Sequence, residues 1–116
     1  MTILRRTNGT IIAEGPETLR ELVLANKDNL AGATLFGCDL TGINLAGCNL
    51  AGIYLGLSTL RGANLVGCDL FGASLRYADL RHARLTGANL IGCDLHGAIG
   101  LRMPPLDNVR RCVTLL

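Results

Sequence analysis

Leucine stands at every fifth position from Leu30 to Leu95 without a miss. No other feature of the 116-residue chain restricts its fold so tightly. On an α-helix, five residues advance about 140° beyond a full turn, which would scatter the leucines around the axis. On a flat strand, an odd step sends alternate leucines to opposite faces. Neither regular element can bury this set.

The neighbours of each leucine resolve the geometry. Two places before it sits a small or apolar residue, as at Ala33, Cys38, Cys48, Ala63, Cys68, Ala73 and Cys93. A step of two puts both side chains on one face of a short extended segment. The residue between them points outward and is mostly Asn or Asp: Asn29, Asp39, Asn44, Asn49, Asn64, Asp69, Asp79, Asn89 and Asp94. Two places after most leucines comes glycine, where the chain can turn a corner. One unit is thus a straight side followed by a corner. If every leucine points inward, four sides close a square and the coil stacks on itself. Backbone hydrogen bonds then run between coils about 4.8 Å apart. The expectation is an all-β solenoid with a leucine stack and a small-residue stack at its core.

The motif A/C-N/D-L-x-G resembles the pentapeptide-repeat family over roughly Asp28 to Ala98. The resemblance implies a right-handed quadrilateral β-helix with about twenty residues per coil. Fourteen units make about three and a half coils, roughly 17 Å tall. Departures fall at Ile43 and Ile53, which are larger than the usual small residue, and at Gly56-Leu57-Ser58. Tyr54 and Arg84 replace the outward Asn or Asp. Leu57, Tyr77 and His82 replace corner glycines, and locally different corners are expected there.

A solenoid needs closed ends. At the N-terminus, two apolar-rich runs flank Asn8-Gly9, the signal of a two-residue β-hairpin. A short α-helix follows: Pro16 suits its first turn, Thr18 and Glu21 have capping-box spacing, and Leu19, Leu22 and Val23 share a face. Asn26 can end it. This region resembles one seen on some bacterial and phage pentapeptide-repeat proteins. The chain therefore divides into a hairpin-and-helix cap at 1–27, the repeat β-helix at 28–99, and a tail at 100–116 that leaves the repeat around Pro104-Pro105. Three roles stand open for the tail: capping the last coil, pairing with the hairpin, or self-association.

Composition narrows the function. With 11 Lys and Arg against 9 Asp and Glu, the net charge of +2 argues against nucleic-acid binding by bulk electrostatics and against an acidic decoy surface. No apolar run spans a membrane, and Met1 to Arg6 lack the apolar core of a signal peptide. Five cysteines without a CxxC pair fit a reducing, cytoplasmic setting. Cys48 and Cys68 stack one coil apart. Their first reading is small apolar filler, although the expected backbone spacing also suits a disulfide. Neither histidine has ligand spacing with them, so no metal or other cofactor is expected. Catalytic residues are absent too: there is no nucleophile–base pair and no phosphate loop, and asparagine separates the outward carboxylates. Those Asn and Asp columns are expected to hydrogen-bond along the stack.

Two surfaces remain as candidates. Arg61 and Arg81 stack, with Arg76, His82 and Arg84 nearby, and Asp39 and Asp79 can neutralise them. This is a solvated face or, in the sharper reading, an anion or acidic-partner patch. Ala31, Ala51, Phe71 and Ile91 form an outward apolar column with Phe36 on the neighbouring face. The reading is therefore a non-enzymatic structural or protein-interaction module for an unidentified protein partner, with open ends that favour a homodimer. The alternative comes from the resemblance. Some members of the family imitate DNA and modulate DNA gyrase, but they are longer and strongly acidic.

Overall fold

The computed structural model describes residues 1–101. The tail expectations, including Cys112, lie outside the described residues.

The chain opens with antiparallel strands β1 (Thr2–Arg5) and β2 (Ile11–Gly15). The hairpin forms where expected, but its loop is one residue longer than the Asn-Gly signal suggested. Arg6 donates its N–H to Thr10 O (2.8 Å) and Gly9 donates to Arg6 O (2.9 Å), which leaves Thr7, Asn8 and Gly9 in the loop. Gly9 has φ +91°, the left-handed residue that three-residue loops require. Helix α1 (Leu19–Ala25) carries the capping box. Glu21 N–H donates to Thr18 Oγ1 (3.1 Å), and Thr18 N–H donates to Glu21 Oε1 (3.1 Å). Pro16 lies two residues before this N-cap instead of in the first turn, and Asn26 is the C-cap. Leu22 and Val23 are buried in one cluster with Leu4 and the repeat leucines.

From Leu30 onward each pentapeptide makes the same two moves. At the corner, the residue after glycine donates its N–H to the preceding leucine carbonyl, as Ala63 does to Leu60 (2.9 Å). Only the third residue of this turn has positive φ, for example Gly62 at +69°, so the turn is type II. On the side, the backbone bonds to neighbouring rungs. Leu45 N–H donates up to Asn64 O (2.9 Å), and Asn64 N–H donates down to Ile43 O (2.9 Å). Parallel bridges join residues twenty apart, such as Asn49 to Asp69 and Asn64 to Arg84, so four pentapeptides make one rung.

All fourteen leucines of the repeat are buried, the most exposed being Leu85 at 6%. Ile43 and Ile53 are also fully buried, so the core takes a larger residue at those two points. The expectation of different corners at Leu57, Tyr77 and His82 is wrong. Their φ values of 58°, 60° and 63° are those of the glycines. The backbone bonds on both sides of a corner dictate its shape, so the residue bends to the corner and carries strain of about 1 kcal/mol.

The hairpin occupies the edge where no earlier rung exists. Thr34 N–H donates to Arg5 O (2.7 Å), Thr7 N–H donates to Gly32 O (2.8 Å), and Arg6 bridges Ala33 in antiparallel register. The Arg6 guanidinium donates to Ala31 O (3.2 Å) and to Asn29 Oδ1. Arg20 of α1 donates to Thr41 O (2.9 Å). An exposed sheet edge is thereby paired.

Candidate interaction surface

The outward Asn and Asp side chains do not chiefly bond along the stack, as expected, but fold back on their own corners. The N–H of the residue after leucine points away from the rungs and needs an acceptor. Asn49 Oδ1 accepts from Ala51 N–H (3.1 Å), Asp69 from Phe71 (3.0 Å), Asp79 from Arg81 (3.1 Å) and Asp94 from His96 (3.1 Å). One bond between these side chains runs along the stack among the described residues: Asn89 Nδ2 donates to Asp69 Oδ1 (3.2 Å). At Asp39, Asp79 and Asp94 such bonds favour the ionised form. The Arg81 guanidinium and N–H pull Asp79 down to about 2. Thr41 lowers Asp39, and the His96 N–H with Arg76 lowers Asp94. A general acid needs the opposite shift. The acids are built as acceptors.

The arginines divide. Arg61 and Arg81 are a rung apart, and Gly62 N–H donates to Arg81 O (2.9 Å). Arg81 grips Asp79 with two bonds, Nε to Oδ1 (2.9 Å) and Nη2 to Oδ2 (2.7 Å). Arg76 pairs with Asp94 at 2.9 Å across a rung. Arg61 and Arg84 are exposed and form no ion pair among the described residues. Arg84 stands one side further round, over Asn64. Asp39 does not neutralise the arginine column. It accepts from Thr41 Oγ1 (2.6 Å) and Thr41 N–H (3.1 Å).

Phe71 (54% exposed) and Ile91 (39%) stack as expected at one corner, where Gly72 N–H donates to Ile91 O (3.0 Å). Phe36 does not extend this column. At the next corner its ring stacks on Tyr54, centroids 5.7 Å apart and planes 12° from parallel. A Cβ on Gly56 would meet Phe36 Cδ2 at 3.3 Å. The irregular unit, a rung above, is thus a seat for Phe36: Tyr54 supplies the ring it stacks on and Gly56 the space for it. Within the same unit, the buried Ser58 hydroxyl donates to Leu35 O (2.7 Å) and accepts from Cys38 N–H (3.2 Å). One rung on, the Tyr77 ring covers Gly97, where a Cβ would lie 2.3 Å from Cδ1, and it meets His96 edge-on at 5.4 Å. Phe36, Leu57 and Tyr77, each about half exposed, make a second apolar edge. Sequence reading missed it, although a signal was present: a bulky residue followed one rung later by glycine, at 36 and 56 and again at 77 and 97.

Eight copies of the family model described as pentapeptide repeats match the chain, over residues 29–65, 38–76 and 63–99. The chain belongs to the pentapeptide-repeat family. A pentapeptide-repeat protein from Nostoc PCC 7120 is 30% identical to it, with 83% of this chain and 84% of that chain covered at a TM-score of 0.50. One from the thylakoid lumen of Arabidopsis thaliana is 22% identical, covering 84% of this chain and 68% of that chain at a TM-score of 0.51, a likeness of fold. No curated protein matches the chain. In this pentapeptide-repeat protein, no group of three or more His, Cys, Asp or Glu residues among those described is placed to hold a metal ion. No helix among them is long and apolar enough to cross a membrane.

Proposed function

We propose that this pentapeptide-repeat protein is a non-enzymatic interaction module: a right-handed quadrilateral β-helix over 28–99, capped by the hairpin and helix of 1–27, that docks a protein partner on its outer faces in the cytoplasm. The observation that carries this reading is the outer surface. Ladder-bonded sides hold Phe71 and Ile91 half exposed at one corner and the Arg61–Arg81 column two corners on. Aromatic and arginine side chains on a rigid frame are the composition of binding hot spots. The carboxylates of that surface are occupied as acceptors, which leaves Arg61 and Arg84 to meet an acidic group on the partner. Charge speaks against the DNA-mimic alternative. A surface imitating phosphates needs a strong acidic excess, and this chain has 11 basic and 9 acidic residues.

The test is affinity capture from the native host with wild-type protein, with Arg61→Glu/Arg81→Glu and with Phe71→Asp, alongside the solution mass of each. A partner retained by wild type and lost on both variants is the expected result. A partner set identical on all three sinks the assignment of these faces. A solution mass of twice the chain would point to the homodimer through the chain ends.

A further inference from the structure

We propose that Cys48 and Cys68 are a redox-responsive pair that closes into a disulfide between two adjacent rungs when the protein meets a hydroperoxide. Both residues sit at the inward small-residue position of the same column. Asn49 and Asp69, the residues after them, form a parallel bridge, and Asp69 N–H donates to Cys48 O at 3.0 Å. Ladder spacing of about 4.8 Å falls inside the Cα separation of about 4.4–6.8 Å that disulfides span. The sulfur of Cys68 is also turned the right way. Its S–H donates to Leu45 O at 2.9 Å, so Sγ reaches down into the rung that carries Cys48 and lies by the Gly47 and Cys48 backbone. Cys38 differs, because Ser58 stands a rung above it.

Exposure sets the order of events. Cys48 is partly exposed and Cys68 is buried. The Cys48 thiol gives its proton to solvent and the thiolate attacks a peroxide oxygen; the O–O bond breaks, leaving Cys48 sulfenic acid and a hydroxide (or alkoxide) that takes a proton from solvent to become water (or an alcohol). The Cys68 sulfur then attacks the Cys48 sulfur and expels hydroxide, which leaves as water with the Cys68 proton. The two sulfurs lose two electrons in total and the peroxide gains them. Burial raises both thiols, Cys68 to about 11, so the reaction is slow at neutral pH and quickens as pH rises.

The test treats native, folded protein with hydrogen peroxide, alkylates the remaining thiols and digests with trypsin. Cleavage after Lys27, Arg61 and Arg76 puts Cys48 on peptide 28–61 and Cys68 on peptide 62–76. The expected product is these two peptides linked with the loss of two hydrogens. The link should persist in Cys38→Ala, which isolates Cys48 on its peptide, and vanish in Cys48→Ala and Cys68→Ala. Alanine is already the commonest residue at this position of the repeat, so all three variants keep the core. Reductant should reverse the link, and the oxidised protein should melt higher than the reduced one. Sulfinic acid at Cys48 with Cys68 still alkylatable after unfolding overturns the proposal. A link that runs through Cys38 or Cys112 overturns it equally.

Discussion

Three corners hold a side chain in the left-handed region where their neighbours hold glycine, and the three side chains differ in what they gain there. His82 is exposed and makes no side-chain hydrogen bond among the described residues. Tyr77 spreads its ring over Gly97 and against His96. His82→Gly should therefore stabilise the protein by about 1 kcal/mol in urea denaturation. Tyr77→Gly should gain less or lose stability, because ring contacts go with the strain. Equal gains at both sites would show that the Tyr77 contacts contribute nothing. At the same scale, Asp79 sets an acid limb. Its carboxyl titrates at 3.8 ordinarily and at about 2 here, held down by Arg81. The pair's contribution is complete above the ordinary value and disappears as pH falls through the folded one. Melting temperature should drop between about pH 4 and pH 2, and Asp79→Asn, which keeps an acceptor for the Arg81 N–H but no charge, should flatten that drop. An unchanged limb in the variant would move the effect to Asp39, Asp94 and Glu21, whose carboxyls are also lowered.

The repeating element is a side plus a corner, and two glycines stand at different places in it: Gly37 at a corner, and Gly100 where the next leucine would fall, five residues after Leu95. Around Gly37 there is open space, so Gly37→Ala meets the positive φ alone and should cost about 1 kcal/mol. At Gly100 an added Cβ would lie 2.4 Å from Arg81 N, which is backbone and cannot step aside. Gly100→Ala should cost distinctly more, about 2 kcal/mol or above, read from the shift in denaturation midpoint. The five-residue period made the straight sides, the buried leucines and the glycine corners legible. It did not give the crowding at Gly100, since that depends on the rung beside it. The Asn and Asp assignment failed for a similar reason. Position in the unit shows that these side chains face outward. That each must answer the orphan N–H two residues ahead follows only when the corner is drawn in three dimensions.

At the scale of the molecule, twenty residues make one rung, and each rung bonds only to its neighbours. Stability in such a stack is close to a sum of rung and interface contributions. Deleting residues 61–80 joins Leu60 to Arg81 and leaves every column in register. That protein should keep its β signal in circular dichroism and a cooperative melt at lower temperature. Deleting 61–78 throws each later leucine out of the core and should abolish the cooperative melt. If both deletions behaved alike, the twenty-residue register would not be what holds the stack. The candidate faces are also properties of this scale. Arg61 with Arg81 and Phe71 with Ile91 could be paired from the sequence because stacking at a fixed offset is arithmetic.

By itself the sequence determined the repeat, its leucine core, the positions of the corners, the hairpin and the capped helix, because each rests on spacing along the chain and on local backbone preference. Tertiary structure alone decided what the side chains do between rungs. It seated Phe36 on Tyr54 beside Gly56, laid Tyr77 over Gly97, gave Asp79 to Arg81 and left Arg61 without an ion pair among the described residues. It also forced Leu57, Tyr77 and His82 into glycine's conformation. The physical reason is the same throughout. The bonds that run between rungs join residues twenty apart, and they outweigh the preferences that any single pentapeptide carries.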